Sequence, residues 1–260
     1  MDLNLHNKNA LVCGSTAGIG KATAIELAKE GVNITLVARN REKLKEVLSE
    51  LPEGGKHSYI VADFSNPRDL QEQVIKHIDQ FHGFHILVNN SGGPRSGEIL
   101  TASLVEFENA FTQHLKCSHV LAQSTIPFMK EEGFGRIINV ISTSVKEPIP
   151  GLGVSNTIRG AVGNWSKTLA SEIGQFGITV NNVLPGFTET ERLNEIIKIK
   201  ADKEGTTFEE MAEIMKGYSP SKRFAKPEET AKVITFLASD ASSYINGINV
   251  PVDGGRTKSL

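Results

Sequence analysis

Three glycines near the start of the chain have the spacing of a turn that binds phosphate. The turn consists of Gly14, Ser15, Thr16, Ala17, Gly18, Ile19 and Gly20. Glycines let the backbone turn tightly and approach a pyrophosphate, whose charge the N-terminus of the next helix stabilises. Because an apolar run precedes this turn and a helical pattern follows it, we expect a dinucleotide to bind here. The alternative is a strand–helix turn without a ligand.

The end of the second apolar run indicates which dinucleotide binds. A carboxylate at this point suits the ribose 2′-hydroxyl of NAD, and an arginine suits the 2′-phosphate of NADP. The residues here are Arg39, Asn40 and Arg41, with no acid among them. Since a carboxylate would repel a phosphate and Arg39 can donate two hydrogen bonds to it, we expect NADP(H), with NAD(H) less favoured. In the alternative interpretation Arg39 is a solvated loop residue.

Alternating strand and helix patterns must position these residues. Strands are predicted at 9–13, 32–38, 58–62, 86–90, 136–141, 178–183 and 247–252, and helices at 20–29, 41–51, 67–81, 101–131, 155–175 and 227–239. Apolar strands separated by helices indicate a parallel sheet that is covered on both faces. The predicted fold class is α/β, a Rossmann-type doubly wound parallel sheet in a single domain over 1–260. The charged segment 188–222 is predicted to be a small helical lid or, equally, a solvated surface insertion.

The spacing Gly-x-x-x-Gly-x-Gly resembles that of the short-chain dehydrogenase/reductase family. Further matching pieces occur in family order, namely Asn89-Asn90-Ser91-Gly92, Ser142, Pro185-Gly186 and Asp253-Gly254-Gly255. The resemblance covers nearly the whole chain. It implies cofactor roles for Ser15, Thr16 and Ile19 at the pyrophosphate, Asp63 and Phe64 at the adenine, Asn90 and Gly92 along the adenosine ribose, and Pro185, Gly186 and Thr188 at the nicotinamide. It also implies a 3-oxoacyl reductase-like activity and a homotetramer or homodimer.

The same resemblance implies an unusual catalytic site. In the family an Asn, a Ser, a Tyr and a Lys carry the chemistry, and the Lys lies one helical turn after the Tyr and lowers its pKa. Ser142 matches the family serine, whereas Ser155 falls at the Tyr position, Arg159 at the Lys position and His114 at the Asn position. A serine hydroxyl is a far weaker acid than a phenol, and Arg159 does not release a proton at working pH. Arg159 can still hydrogen-bond the nicotinamide ribose and supply a positive field.

The identity of the proton donor stays open at this point. His114 has the most suitable unperturbed pKa, Lys146 follows Ser142 by four residues, and a water held by Ser142 and Ser155 is the third candidate. In the alternative interpretations His114 is a structural residue and Lys146 a solvated one. Arg95 could orient an acidic group of the substrate, or it is a solvated loop arginine.

Composition excludes several classes of function. The net charge is −2 over 260 residues, so we expect no broad basic surface for nucleic acid or anionic lipid. No apolar run is long enough to span a membrane, and no signal-peptide pattern occurs. Cys13 and Cys117, the only cysteines, show neither disulfide nor metal-site spacing, which favours a cytoplasmic location.

The sequence therefore predicts an NADP(H)-dependent oxidoreductase that transfers a hydride to or from a small carbonyl or alcohol substrate. The alternative is a catalytically impaired NADP(H)-binding protein with a sensing or scaffold role.

Overall fold

The computed structural model describes residues 2–259, and seven parallel strands form one sheet in it. The strands are β1 (Asn9–Cys13), β2 (Asn33–Ala38), β3 (Ser58–Val61), β4 (Ile86–Asn89), β5 (Gly135–Val140), β6 (Ile178–Pro185) and β7 (Asn249–Val252). Their order across the sheet is β3-β2-β1-β4-β5-β6-β7. The order reverses between β1 and β4, which is the point where ligands bind in open α/β sheets. The predicted fold class is confirmed.

Nine α-helices surround this sheet in the described residues. They are α1 (Gly18–Lys29), α2 (Arg41–Glu50), α3 (Pro67–Phe81), α4 (Leu104–Phe111), α5 (Cys117–Glu131), α6 (Gly153–Ile173), α7 (Glu191–Glu204), α8 (Phe208–Gly217) and α9 (Pro227–Leu237). Most predicted boundaries agree with these to within two residues. The predicted helix over 101–131 is divided into α4 and α5 by a π-helical turn, Thr112–Lys116. Such turns often occur at functional sites.

Two apolar cores lie on opposite faces of the sheet. Because side chains alternate along a strand, Leu11 packs into the core beside α3 and α5, whereas Val12 packs into the core beside α1 and α9. Both side chains are fully buried. The sheet is therefore a rigid platform, and the loops at its carboxyl edge carry the candidate site.

A row of asparagines crosses four strands of the sheet. Asn89, Asn139, Asn182 and Asn249 are register partners on β4, β5, β6 and β7. Each side-chain amide donates to the next, over 2.8, 3.0 and 2.8 Å. These bonds satisfy polar groups that would be costly to bury alone, and they connect the four strands side by side.

The segment 188–222 forms two helices, α7 and α8, with a small apolar core of their own. That core contains Leu193, Ile197, Ala201, Met211, Met215 and Phe224. A solvated insertion would not bury such a cluster, which favours the helical excursion over the solvated alternative. Its role as a lid stays a prediction.

Candidate active site

A cleft of about 460 Å³ opens at the carboxyl ends of β1, β2 and β4. This volume lies within the roughly 300–1,000 Å³ that is usual for ligand pockets. The cleft is lined by Gly14, Thr16, Ala17, Ala38, Arg39, Asn40, Lys43, Asp63, Phe64, Asn90, Ser91, Gly92 and Gln113. Seven residues predicted to hold a cofactor are thus brought together, namely Gly14, Thr16, Arg39, Asp63, Phe64, Asn90 and Gly92.

The glycine turn is packed so closely that side chains would not fit. Gly14 has φ +58°, and a Cβ on it would lie 2.7 Å from the carbonyl oxygen of Asn90. A Cβ on Gly20 would lie 2.2 Å from the carbonyl oxygen of Gly14. The turn therefore needs glycine for its conformation at Gly14 and for close backbone contact at Gly20.

Helix α1 begins at this turn without a side-chain cap. Its N-cap residue is Ala17, which cannot accept a hydrogen bond from the first turn, and no acidic residue lies in that turn. In contrast, Asn40 caps α2 by accepting from the backbone N–H groups of Glu42 and Lys43. The N–H groups at the start of α1 are therefore available to an anion in the cleft, where the helix dipole also favours negative charge.

Two cations lie at the end of the cleft beside β2. Arg39 was predicted, and Lys43 on the first turn of α2 joins it in the lining. Both are exposed. The one acidic residue of the lining is Asp63, whose carboxylate accepts from the N–H of Ser65 over 2.9 Å. Lys43 follows Arg39 by four residues, and that spacing in the sequence could have indicated it.

Ser15 differs from the other residues of the turn. Its side chain is fully buried, and its hydroxyl accepts from the N–H of Val37 on β2 over 3.0 Å. The side chain therefore ties the turn to the sheet and does not line the cleft. Ile19 also packs against the core beside α1.

A small buried chamber adjoins the inner end of the cleft. His114 and Arg159, both in its lining, are 3% and 8% exposed. His114 Nδ1 shares a 2.7 Å hydrogen bond with the hydroxyl of Ser91, and Arg159 Nη1 donates to the carbonyl of Val140 over 2.8 Å. Within residues 2–259, His114 Nε2, Arg159 Nε and Asn89 Oδ1 are buried without a hydrogen-bond partner. The chamber therefore contains buried polar atoms that could form further hydrogen bonds, and they lie beside the positive charge of Arg159.

Burial changes the acid–base character of the chamber. The pKa of His114 is lowered to about 2, first by burial and then by the positive charge of Arg159. Burial also lowers the pKa of Arg159 to about 10. His114 was a candidate proton donor because of its unperturbed pKa, but here its imidazole is desolvated next to a guanidinium. A neutral His114 of this kind is a very poor proton donor at neutral pH.

The two predicted catalytic serines line neither the cleft nor the buried chamber. Ser142 ends the loop after β5, and its hydroxyl accepts from the N–H of Ser144 over 3.1 Å. Ser155 lies on the first turn of α6, one turn before Arg159 and on the same helix face. Ser142, Ser155 and Lys146 are all half-buried.

The loop after β6 brings the helical segment over the glycine turn. Pro185 ends β6, Gly186 follows it, and the hydroxyl of buried Thr188 donates to the carbonyl of Gly186 over 3.3 Å. A Cβ on Gly18 would lie 2.9 Å from the methyl group of Thr190. The start of the helical excursion is therefore in contact with the glycine turn.

A second contact connects the excursion to the loop after β4. Arg192 Nη2 donates to the carbonyl of Pro94 over 2.9 Å, and its Nη1 lies 3.2 Å from Glu195. Helix α7 is thereby connected to the loop 92–98. Arg95 in this loop is exposed, as its alternative interpretation expects.

Comparisons with known proteins identify the family. A family model described as enoyl-(acyl carrier protein) reductase matches residues 14–257. A D-beta-hydroxybutyrate dehydrogenase of Rhizobium meliloti is 32% identical over 96% of this chain and 98% of the relative. The chain belongs to the short-chain dehydrogenase/reductase family.

Other short-chain dehydrogenase/reductase members are similarly related. A 3-oxoacyl-(acyl-carrier-protein) reductase FabG of Staphylococcus epidermidis is 30% identical over 96% of this chain and 98% of the relative. The crystal structure of L-sorbose reductase from Gluconobacter frateurii, complexed with NADPH and L-sorbose, has a TM-score of 0.94 and 32% identity, with full coverage of both chains. The chain is therefore an oxidoreductase of this family in fold and sequence.

Sequence reasoning missed several residues that this short-chain dehydrogenase/reductase places at its cleft. Ser91 and Gln113 line both the cleft and the chamber. Ser91 was noted only as part of a motif, and its bond to His114 joins residues 23 positions apart. No local pattern predicts such a pairing.

Within the described residues, no helix is both long and apolar enough to cross a membrane, and no group of three metal-ligating side chains occurs.

Proposed function

We propose that this protein is an NADP(H)-dependent oxidoreductase that interconverts a small carbonyl compound and its alcohol by hydride transfer. The observation that carries the proposal is a single cleft in which three features meet. Helix α1 begins at its glycine turn without a side-chain cap, Arg39 and Lys43 lie at one end, and buried Arg159 lies beside the other end. A relative of the same fold is known in complex with NADPH and a ketose, which supports both the cofactor and the substrate class.

The residues of the cleft fit a dinucleotide phosphate. The close packing of Gly14 and Gly20 leaves backbone where side chains would block a pyrophosphate. Arg39 and Lys43 supply positive charge for a 2′-phosphate. We assign the adenine end to Asp63 and Phe64, the adenosine ribose to Asn90 and Gly92, and the nicotinamide end to Pro185, Gly186 and Thr188. When bound, NADPH supplies the hydride.

The inner end of the cleft would act by charge and position. We assign Ser142 to the substrate oxygen, and Ser155 and Arg159 to the places that a tyrosine and a lysine hold in the family. Arg159 keeps its charge at neutral pH in spite of burial, and a desolvated cation stabilises negative charge strongly. Its Nη2 lies 3.9 Å from the place of a Cβ on Gly93, so the guanidinium reaches toward the loop 92–98.

The proton would come from a group other than His114. Lys146 and a water held by Ser142 and Ser155 are the two candidates that remain. The side chains of Lys146, Ser142 and Ser155 are all half-buried, so solvent can reach them and replace a transferred proton.

Cofactor choice is tested by the affinities of Arg39→Met and of the control Arg41→Met. Arg41 lies two residues on and is also exposed, with its guanidinium 5.9 Å from the ring of Tyr59. Loss of a charged hydrogen bond worth about 1.5–3 kcal/mol should weaken NADPH binding roughly tenfold or more in Arg39→Met. NADH binding and the control should change little. Equal affinity of the wild type for NADH and NADPH would contradict the role of Arg39.

Turnover is tested with NADPH and a panel of ketones, ketoses and aldehydes, and with NADP⁺ and the corresponding alcohols. We expect a matched carbonyl–alcohol pair to be interconverted. Tight NADPH binding without turnover of any compound would favour the sensing or scaffold alternative. A homotetramer or homodimer and a cytoplasmic location stay predictions, and light scattering of the purified protein tests the first.

A further inference from the structure

The tail that follows β7 takes a fixed path back across the sheet edge. The carboxylate of Asp253 accepts from the N–H groups of Gly255 and Thr257 over 3.0 and 2.8 Å. The hydroxyl of Ser219, at the end of the helical excursion, donates to the carbonyls of Asp253 and Gly254 over 3.2 and 2.9 Å. The turn is therefore closed by Asp253 itself and bound by Ser219 to the end of the helical excursion.

One side chain of this tail joins two loops of the proposed site. The guanidinium of Arg256 lies 4.6 Å from the ring centre of Phe187, and its Nη1 donates to the hydroxyl of Thr143 over 3.2 Å. Thr143 directly follows Ser142, and Phe187 directly follows Gly186. Arg256 therefore connects the loop of the proposed catalytic serine to the loop proposed to hold the nicotinamide.

A second contact fixes the same tail to the serine loop. The carboxylate of Glu147 accepts from the backbone N–H groups of Lys258 and Ser259, both over 2.7 Å. The N–H of Glu147 in turn donates to the carbonyl of Thr143 over 3.1 Å. The tail thus holds this turn at both of its ends.

The guanidinium of Arg256 is suited to joining two loops, and its contacts with Thr143 and Phe187 are called the brace below. Among residues 2–259 its guanidinium has no carboxylate within salt-bridge distance, so it is held by a ring face and a hydroxyl. A planar guanidinium can stack on a ring and donate in its own plane at the same time, which an ammonium cannot do. Phe187 also packs 6.2 Å from the ring of Phe224, so the brace extends into the helical excursion.

We propose that Arg256 is a positioning residue for hydride transfer, which fixes the loop of Ser142 against the loop of Gly186. The proposal rests on the proposed function, because that function gives these loops their roles. Transfer between bound groups is sensitive to displacements of about 1 Å. Loosening the brace should therefore slow turnover, while NADPH affinity changes little, because most of the proposed cofactor contacts lie at the glycine turn, at Arg39 and at the adenosine end.

The kinetic test compares Arg256→Met with the control Lys258→Met. Lys258 lies in the same tail, is exposed, and contacts Glu147 through its backbone. Arg256→Met should lower kcat by about tenfold or more and leave the Kd for NADPH within about twofold. Arg256→Lys should restore only part of kcat, and Thr143→Val combined with Arg256→Met should cost less than the two single changes added together. An unchanged kcat in Arg256→Met, or the same loss in Lys258→Met, would overturn the proposal.

Hydrogen exchange tests the brace without turnover. The N–H groups of Val145, Lys146 and Glu147 donate within the turn after Ser142. In Arg256→Met their exchange should be several-fold faster, with no change in Lys258→Met. Unchanged exchange would overturn the brace whatever the activity. Faster exchange in Arg256→Met, combined with a wild-type protein that turns over no substrate, would instead identify the proposed function, and with it the positioning role, as the part that fails.

Discussion

The two ends of the cleft are built in opposite ways. At the glycine turn the available groups belong to the backbone, and the cations beside them, Arg39 and Lys43, are exposed. At the inner end the groups are the side chains of His114 and Arg159, which are almost fully buried. The outer end is suited to holding a charged cofactor reversibly, because its charges remain solvated before binding. The inner end keeps a desolvated charge. Such a charge destabilises the free protein but interacts strongly with negative charge on a ligand.

The largest expected effect is at the inner end. Arg159→Met should lower kcat/KM by at least about a hundredfold, since a cation fixed in a water-poor site is removed. The free energy of unfolding should change by no more than about 1.5 kcal/mol, because the lost bond to Val140 is offset by relief of the buried charge. Urea unfolding and steady-state kinetics measure both quantities.

The control for that change is Arg223→Met, in which an exposed arginine paired with Glu229 is lost. It should leave kcat/KM unchanged. If Arg159→Met lost activity only in proportion to a large loss of stability, the inner end would be structural and the comparison would fail.

The outer end should break where its backbone is most crowded. In Gly20→Ala the new methyl group meets the carbonyl of Gly14, so we expect a loss of about 1–3 kcal/mol in unfolding free energy and weaker NADPH binding. Gly217→Ala is the control, since a Cβ there has nothing within 4 Å and should stabilise α8 by up to about 1 kcal/mol. Similar results for the two variants would contradict a tightly packed cradle.

Burial at the inner end should also make stability depend on pH. The folded-state pKa of His114 is lowered to about 2 from 6.5, so below pH 6.5 the unfolded chain binds a proton that the folded chain does not. Stability should therefore fall as the pH drops from 6.5, by about 1.4 kcal/mol per pH unit for this residue. Urea unfolding at pH 5 and pH 8 measures the slope.

His114→Gln supplies the reference for that slope. Burial also lowers the pKa values of His77 and His85, and their contribution persists in the variant. The pH dependence of His114→Gln should be shallower than that of the wild type, and equal slopes would mean that the chamber is solvated.

The smallest expected effect concerns the contact between helix α7 and the loop 92–98. Arg192→Met removes the hydrogen bond to Pro94 and an exposed pair with Glu195. Stability should stay within about 0.5 kcal/mol, while KM for the substrate should rise roughly threefold with kcat unchanged. A fall in kcat at constant KM would show that Arg192 affects the chemical step and not substrate binding.

The sequence predicted most of the outer end and little of the inner end. Gly14, Gly20 and Arg39 belong to local patterns whose physical reason lies in a few neighbouring residues, and the strands that carry them are continuous apolar runs. The buried orientation of the Ser15 side chain was not predicted, because a hydroxyl in such a turn can face either a ligand or β2, and the spacing of residues does not decide between them.

The inner end depends on contacts distant in the chain. Burial and then the positive charge of nearby Arg159 lower the pKa of the His114 imidazole, and a hydrogen bond joins this imidazole to Ser91. His114 lies in the π-helical turn over Thr112–Lys116, which no hydrophobic pattern revealed. Arg256 is a similar case, since its partners Thr143 and Phe187 come from two other loops.

The desolvated inner end is tested most directly by NMR titration of the His114 imidazole in the cofactor-free protein, with His114→Gln used to assign its signal. We predict that the imidazole stays neutral from pH 8 down to pH 5, because its pKa is lowered to about 2. A titration with a midpoint near 6.5 would show a solvated imidazole, return His114 to the candidate proton donors and contradict the contrast between the two ends of the cleft.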